Sequence, residues 1–359
     1  MNIGKKKLTI LLLLLSIMVS LICFGAALFK NRVIESNKSL KEIKTLKYGV
    51  QGLPYGRELS NEPLKYTENY IFYSDRILER FQYDSIKNDY TVGIFQEFFK
   101  SIPNGVEKTL ALVPLRIIYE DIDEESKDNI KLAIKEINEK MPSDVNVLDV
   151  DGILEKHQDE YVYFRTDNSW TSLGAYYVHE RFLESSDCEI RSIDEFQRDI
   201  FEFYLGNLAA IDSSTLNNNS EDYVEFYKFK GGSNKEVIRK WIKGNEYTTY
   251  ECPMVALSRR GTDVFVEGRL SHAIIEGDNQ NGNTMLIIGD DNARIFIPWI
   301  TPYYEKIYFI SATRYENDAK TFKRIFDEYN VVDVVILQSV NKIGDSIENS
   351  ILKSITYKN

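Results

Sequence analysis

Apolar runs and amphipathic stretches alternate along most of the chain. Short apolar runs predict buried strands at residues 108–115, 145–150, 284–288, 306–310 and 331–337. Apolar positions spaced three and four residues apart predict helices at residues 66–83, 85–101, 124–140, 171–183 and 319–329. A strand, helix, strand order is typical of a mostly parallel sheet flanked by helices. The pattern therefore predicts a fold of the α/β class.

The alternation weakens between residues 185 and 281. Polar tracts interrupt this region at residues 217–220 and 231–234. Only short β-like pieces stand out from it, at residues 247–250 and 263–266. We therefore expect residues 185–281 to form an insertion or a subdomain within the more regular fold.

Residues 8–29 form a stretch of 22 uncharged and mostly apolar residues. In a helix, a stretch of this length spans the hydrocarbon core of a bilayer, so we expect a single transmembrane anchor. Three lysines at positions 5–7 favour a cytoplasmic location for residues 1–7, although the cations at positions 30 and 32 weaken the asymmetry. The sequence thus predicts a single-pass protein of the cell membrane with an extracytoplasmic C-terminal part.

Residues 30–52 are polar and rich in lysine, as expected of a juxtamembrane spacer. The extracytoplasmic domain is then predicted to occupy residues 53–359. A cleaved signal peptide is the alternative, because the small residues at positions 25–27 suit a cleavage site. The apolar stretch is longer than the usual core of a signal peptide, which favours the retained anchor.

Charge and cysteine content narrow the possible partners. The formal net charge of -11 disfavours nucleic acid, which binds through clustered lysine and arginine. The sequence has no Cys-x-x-Cys pair and only three histidines, so we expect neither a structural zinc site nor another cofactor. Cys188 and Cys252 can form one disulfide in an oxidising compartment or remain two unpaired thiols, and the sequence leaves both alternatives open.

Two polar motifs follow predicted strands. Asp290 and Asp291 come directly after Gly289, at the turn where a short helix is expected to begin. Ligands of α/β folds gather outside the carboxyl ends of the strands, where helix N-termini and free backbone N–H groups lie. The second motif contains Asp167 and Ser169, in a loop between a short strand predicted at residues 161–164 and the helix that Thr171 is expected to cap.

Other interpretations of these polar motifs remain open. Asp and Asn are common in turns, because their side chains bond to their own backbone, so each motif can be purely structural. Asp167, Asp290 and Asp291 together are a weaker candidate for a metal site. The same carboxylates can also form an acidic pocket that binds a cationic sugar or an ion.

Taken together, the two motifs resemble those of a known family. Residues 163–177 read Tyr-Phe-Arg-Thr-Asp-Asn-Ser-Trp-Thr-Ser-Leu-Gly-Ala-Tyr-Tyr, which resembles the DHHW signature Arg-Thr-Asp-His-His-Trp-Thr. Residues 290–304 read Asp-Asp-Asn-Ala-Arg-Ile-Phe-Ile-Pro-Trp-Ile-Thr-Pro-Tyr-Tyr, which resembles the family's nucleophile turn Asp-Ser-Tyr-Ala-Asn and the Phe-Val-Pro-Phe-Leu that follows it. The resemblance implies an SGNH-hydrolase-like, flavodoxin-like fold related to the alginate O-acetylation proteins.

The sequence departs from the family at the catalytic positions. The family's general base is a histidine where this chain has Ser169, and its nucleophile is a serine where this chain has Asp291 beside Asp290. Only Asp167 of the triad is retained. A serine attacks an ester at neutral pH only when a base accepts its proton, so the departures predict a pseudoenzyme. The alternative is a rewired esterase or acetyltransferase in which Asp291 is the nucleophile and His272 enters the site.

The remaining histidines are expected to be structural, with His157 in a loop and His179 on a helix surface. The resemblance implies a role in cell-surface polysaccharide O-acetylation or assembly, beside a membrane-bound O-acyltransferase. A non-catalytic scaffold that binds glycan or a partner protein is an alternative, since the 23 tyrosines and 19 phenylalanines include candidates for stacking on sugars. An anchored ectodomain without any connection to glycan is the third hypothesis.

Overall fold

A computed structural model describes residues 59–184, 186, 188–217, 220–232, 237–243, 246–252, 261–266, 268, 271–313, 319–345, 352–353 and 356. These residues belong to one compact unit, Pro54–Asn359. Within the described part of the chain, no helix has the length and apolar character needed to cross a membrane. The anchor predicted at residues 8–29 and the spacer at residues 30–52 lie outside the described residues.

The strands in chain order are β1 Lys65–Tyr66, β2 Tyr70–Phe72, β3 Ile77–Glu79, β4 Glu107–Val113, β5 Asn146–Leu148, β6 Phe196–Tyr204, β7 Asp222–Phe229, β8 Val237–Lys243, β9 Glu246–Cys252, β10 His272–Glu276, β11 Thr284–Gly289, β12 Lys306–Ser311 and β13 Val331–Ser339. The α-helices are α1 Ser85–Ser101, α2 Glu124–Glu139, α3 Val150–Glu155, α4 Ser172–Leu183, α5 Asp291–Ile300 and α6 Ala319–Glu328.

Six strands form the central sheet, in the order β10-β12-β11-β13-β4-β5. Neighbouring strands pair in parallel, except that β10 runs antiparallel to β12 at the edge. The predicted α/β fold with a mostly parallel sheet is therefore confirmed. Because β11 and β13 are parallel neighbours, their carboxyl ends meet at one edge, where Gly289 pairs with Leu337. This edge carries the Asp290 motif.

Helices cover both faces of the central sheet. On one face, Phe95 of α1 and Ile325 of α6 share a core with Leu286 and Ile336 of the sheet. On the opposite face, α5 lies beside α4 and against β11 and β13. The burial of large apolar side chains on both faces is the main stabilising contribution, since each contributes about 1.5–3 kcal/mol when it leaves water.

Helix boundaries agree closely with the sequence pattern, because polar side chains cap the helices. The Asp84 side chain accepts from the backbone N–H groups of Ile86 and Lys87 at the start of α1. Thr171 caps α4, as predicted, and its hydroxyl accepts from the Gly174 N–H at 3.3 Å. Such caps satisfy the backbone donors that the first helical turn leaves without partners.

Two predicted elements are wrong, and a third is shorter than predicted. Residues 66–83 form the antiparallel sheet β1-β2-β3 rather than a helix. The buried apolar pairs at residues 71–72 and 77–78 mimic helical spacing, while the strands are too short to show alternation. Residues 263–266 do not form a strand either, because a 3-10 helix spans Gly261–Val264 and only Phe265 takes part in a bridge. The strand predicted at residues 161–164 is reduced to an isolated bridge between Tyr163 and Trp170.

The region between residues 185 and 281 contributes to more than one part of the fold. It contains the two-stranded sheets β6-β7 and β8-β9, and β9 includes the predicted strand at residues 247–250. Its last strand, β10, forms the edge of the central sheet. In addition, β7 packs against α4 and α5, the helices that follow the two polar motifs. This region is therefore integrated into the fold next to the motifs.

Candidate functional site

A tight loop presents the first motif. Tyr163 and Trp170 face each other in an antiparallel bridge. The Phe164 N–H donates to the Ser169 carbonyl at 3.3 Å and the Thr171 N–H donates to the Val162 carbonyl at 2.9 Å, so residues 162–171 form a closed turn. Trp170 is fully buried beneath it. The loop is held at both ends before the helix α4 begins, and this fixes the side chains at its tip.

Asp167 and Ser169 are paired at the tip of this loop. The Ser169 hydroxyl donates to Asp167 Oδ1 at 2.9 Å, and the Ser169 backbone N–H donates to the same oxygen at 3.1 Å. The Asn207 backbone N–H donates to Oδ2 at 3.0 Å. Both side chains are buried, with 3% and 4% exposure. Ser169 therefore occupies the base position as a donor to the carboxylate that would orient a histidine there.

The Asp167 carboxyl is less acidic than usual. Burial raises its pKa to about 6, the hydrogen bonds from Asn207 and Ser169 oppose that shift, and the charge of Asp291 adds to it. The two sequence motifs meet in one site, because the Trp170 N–H donates to the Asn292 side chain at 3.0 Å and the charge of Asp291 reaches Asp167. A pKa shifted by burial and by a like charge is characteristic of functional sites, although structural networks show it too.

Asp290 has a structural function. It is the N-cap of α5, and its Oδ1 accepts from the Asn292 N–H at 2.9 Å. Its Oδ2 accepts from the Ser339 N–H at 2.8 Å, which ties the turn after β11 to the end of β13. Burial raises the pKa of Asp290, and the two backbone donors oppose this shift. Both carboxylate oxygens of Asp290 therefore accept hydrogen bonds from backbone N–H groups.

Asp291, at the nucleophile position, is paired with a buried cation. Its carboxylate lies 2.7 Å from the guanidinium of Arg294, which also lies 3.3 Å from the Asp263 carboxylate. The Arg294 side chain is only 3% exposed, whereas about a third of each aspartate side chain is exposed. Burial alone would lower the pKa of Arg294, and the two carboxylates more than offset this effect. Asp291 thus compensates a buried charge.

The sequence pattern missed several residues around the site. Glu79 accepts from the side-chain amides of Asn168 at 2.5 Å and Asn341 at 3.0 Å, so it connects the first motif to the segment after β13. Burial raises the pKa of Glu79, and these two bonds oppose the shift. Arg294 and Asp263 were also missed. No local signal identifies these residues, because their partners are mostly far away in the chain.

The three histidines lie in different surroundings. His157 stacks on Tyr177 and contacts Glu160, as suits a loop residue. His179 was expected on a helix surface, but it is fully buried, because the face of α4 that carries it packs on Trp299 of α5. Burial lowers the pKa of His179 to about 4. Its imidazole therefore serves the core as a neutral ring.

His272 does not support the rewired site. It begins β10, stacks on Tyr308 and lies 3.2 Å from the Ser271 hydroxyl. The backbone of His272 pairs with Ile310 of β12, and Ile310 pairs with Ile288 of β11. Two strand spacings, roughly 10 Å, therefore separate the His272 backbone from the strand that leads to Asp291. The side chains of His272 and Ile274 point to the same face of the sheet. Helix α1 covers that face, whereas α5 covers the opposite one.

Carboxylates, histidines and thiols are the side chains that would hold a metal ion or carry thiol chemistry. Among the described residues, no group of three or more His, Cys, Asp or Glu side chains has an arrangement that could hold a metal ion. Cys188 is a free thiol, so it does not form the disulfide with Cys252 that the sequence left open. Its sulfur lies 2.9 Å from the Ser186 hydroxyl.

Comparison with known proteins identifies the family. The sequence matches the DHHW protein family over residues 81–310, which is more than half of the chain. The protein therefore belongs to the DHHW family, and the resemblance inferred from the two motifs is confirmed. Comparison with curated proteins finds no significant match.

The first two of three similar solved structures share the fold. A DHHW family protein from Eubacterium siraeum is 19% identical, with a TM-score of 0.69 over 84% of this chain and 100% of that one. PatB1 of Bacillus cereus, solved with a sulfonyl adduct, is 15% identical, with a TM-score of 0.61 over 80% of this chain and 99% of that one. The O-acetyltransferase domain of Pseudomonas putida AlgJ is 11% identical, with a TM-score of 0.41 over 77% and 96%.

Proposed function

We propose that this protein is a non-catalytic member of the DHHW family that binds cell-surface polysaccharide during its O-acetylation or assembly. It is held at the outer face of the cell membrane by residues 8–29 and works beside a membrane-bound O-acyltransferase. Family membership and the polar site at the carboxyl edge of the sheet support the role in glycan chemistry. The residues at the catalytic positions, Ser169 and Asp291, support the absence of catalysis.

One observation carries this proposal. Both positions that would perform acyl transfer are engaged in structural contacts, Ser169 with Asp167 and Asp291 with Arg294. Serine has no basic nitrogen, so Ser169 cannot accept a proton as the family's histidine would. A carboxylate in an ion pair with a buried guanidinium is a poor nucleophile, because attack would remove the charge that compensates Arg294. The geometry thus favours binding over rewired catalysis.

Acetyl-ester hydrolysis and acetyl transfer to oligosaccharides test the proposal. We expect no turnover by the native protein and measurable hydrolysis by the double variant Ser169→His with Asp291→Ser, which restores both family residues in the existing framework. Asp167→Ala in the restored background is the matched control, because it removes the carboxylate that would orient the new histidine. Turnover by the native protein that disappears in Asp291→Ala would instead establish the rewired enzyme.

The polysaccharide role needs its own measurement. We expect deletion of the gene to lower the acetyl content or the amount of surface polysaccharide, and the native gene and Asp291→Ser to restore them equally if the role is non-catalytic. Unchanged polysaccharide after deletion would refute the role, whatever the activity assays give. Retention of the purified protein on immobilised surface polysaccharide, before and after chemical deacetylation, then measures binding directly.

A further inference from the structure

Asp222, the first residue of β7, lies under the loop that carries Asp167. It is fully buried, and its carboxylate is a hydrogen-bond acceptor for three residues. Oδ1 accepts from the Tyr161 hydroxyl at 2.5 Å and from the Arg165 N–H at 2.7 Å. Oδ2 accepts from the Thr166 N–H at 2.8 Å and from the Thr166 hydroxyl at 2.5 Å. One side chain from the middle region thus fixes the backbone of the first motif.

An ionised carboxylate satisfies all of these donors at once. Four donors point at two oxygens, and a carboxylate has acceptor sites for all of them, whereas an amide side chain would turn its NH₂ group toward two donors. Burial raises the pKa of Asp222, and the donors from Arg165, Thr166 and Tyr161 oppose this shift. A buried charge is tolerated in proteins when hydrogen bonds surround it as they do here.

The Thr166 hydroxyl extends the contact toward Asp167. While it donates to Asp222, it accepts from the Gly206 N–H at 2.8 Å. The next residue, Asn207, donates its N–H to Asp167 Oδ2 at 3.0 Å. Gly206 packs so closely on the loop that a Cβ atom there would lie 2.5 Å from the Thr166 carbonyl and 2.6 Å from Asp167 Cβ. Asp222, Thr166 and the turn at Gly206 therefore form one continuous hydrogen-bonded support.

We propose that Asp222 is a positioning residue, which acts through Thr166 and the turn at Gly206 to hold the Asp167 carboxylate in the geometry of the binding site. The assignment rests on the proposed function, because it treats Asp167 as part of that site. This assignment gives residues 185–281 a role in the site. Strand β7 supplies Asp222, and the turn after β6 supplies the Asn207 N–H.

Titration of Asp167 in the full chain tests the proposal without any glycan. Aspartate labelled with ¹³C at the side-chain carboxyl reports each pKa, and the signal lost in Asp167→Asn assigns Asp167. Thr166→Val keeps the side-chain shape and removes the hydroxyl. The turn at Gly206 then keeps only the bond from the Leu208 N–H to the Thr166 carbonyl, at 2.9 Å, among its described bonds to Thr166, and we expect the Asn207 N–H to move away from Asp167. We expect the pKa of Asp167 to rise by about one unit, because a hydrogen bond to the charged form is lost.

Thr91→Val is the matched control. The Thr91 hydroxyl is also buried and also accepts from a glycine N–H, that of Gly344 at 3.0 Å, but it lies on α1. This variant should match the thermal destabilisation of Thr166→Val while leaving the pKa of Asp167 unchanged. Asp222→Asn should shift the Asp167 titration in the same direction as Thr166→Val.

Two outcomes overturn the assignment. An unchanged Asp167 pKa in folded Thr166→Val would show that the turn at Gly206 stays in place without the hydroxyl. An equal shift in Thr91→Val would show that the effect follows general loosening of the fold. If Asp222→Asn does not fold, Thr166→Val alone decides the question. Failure of glycan binding would refute the proposed function but would not change this titration.

Discussion

The backbone N–H of Trp170 donates to the side-chain oxygen of Asn292 at 3.0 Å, across 122 positions of sequence. The Trp170 indole N–H donates to the backbone carbonyl of the same asparagine at 3.1 Å. Both residues are buried, at 0% and 2% exposure. One asparagine thus joins the loop before α4 to the first turn of α5, and through it the two halves of the candidate site.

Removal of this junction should destabilise the protein. In Asn292→Ala the Trp170 backbone N–H is left buried without its acceptor, which costs about 1–3 kcal/mol. Denaturant unfolding measures this loss. Asn330→Ala is the control, because the described side-chain hydrogen bonds of Asn330 are exposed, and the substitution should change stability by less than about 0.5 kcal/mol. Equal effects of the two substitutions would argue against the junction.

Asp167 should make stability depend on pH. Its folded pKa of about 6 lies above the unfolded value of 3.8, so its contribution to stability is fully present below 3.8 and is lost as the pH rises through 6. Relative to Asp167→Asn, the native protein should therefore lose about 3 kcal/mol of unfolding free energy between about pH 3.5 and 7.5. Urea denaturation of both proteins across this range gives the difference. A constant offset between them would contradict the raised pKa.

Restoration of the family's serine should carry a stability cost. Asp291→Ser leaves the buried Arg294 guanidinium with Asp263 as its remaining carboxylate, and Asp291 is only a third exposed. We expect a loss of about 1–2 kcal/mol, less than for a fully buried pair. Asp159→Ser, at an exposed position, should be near neutral. If Asp291→Ser proves as stable as the native protein, the ion pair does not explain why aspartate suits this position.

His179 should destabilise the protein in acid. Its folded pKa of about 4 lies below the unfolded value of 6.5, so its contribution to stability is present above 6.5 and is lost as the pH falls through 4. The loss amounts to about 3 kcal/mol. His179→Phe keeps an aromatic ring against Trp299 and cannot be protonated, so its unfolding free energy should fall less steeply between about pH 7 and 4. Parallel pH profiles would refute the prediction.

Local patterns in the sequence predicted the elements that depend on local chemistry. The apolar run ending at Gly289 predicted β11 because a buried parallel strand is apolar on both faces. The hydroxyl of Thr171 predicted the start of α4 because capping involves only the next few residues. The helix at residues 85–101 was predicted within its observed bounds, since its apolar stripe is long and regular.

Contacts between distant residues were not predictable in this way. Asp222 was part of an expected insertion, yet it bonds to residues 56 and 57 positions earlier. Arg294 lies within the second motif but was not recognised as a site residue, and its second carboxylate, Asp263, lies in a segment that the pattern misassigned. His179 was misplaced because hydropathy alone does not show which face of a helix a later segment will cover.

The position of β13 has a consequence for the synthesis of the protein. This strand pairs with β11 on one side and β4 on the other, so it joins the two halves of the central sheet. It comes from residues 331–339, beyond the family match that ends at residue 310. β4 and β11 are therefore synthesised before the strand that joins them. Until β13 pairs with them, the facing edges of these two apolar strands carry backbone groups without ladder partners, and such edges are prone to aggregation.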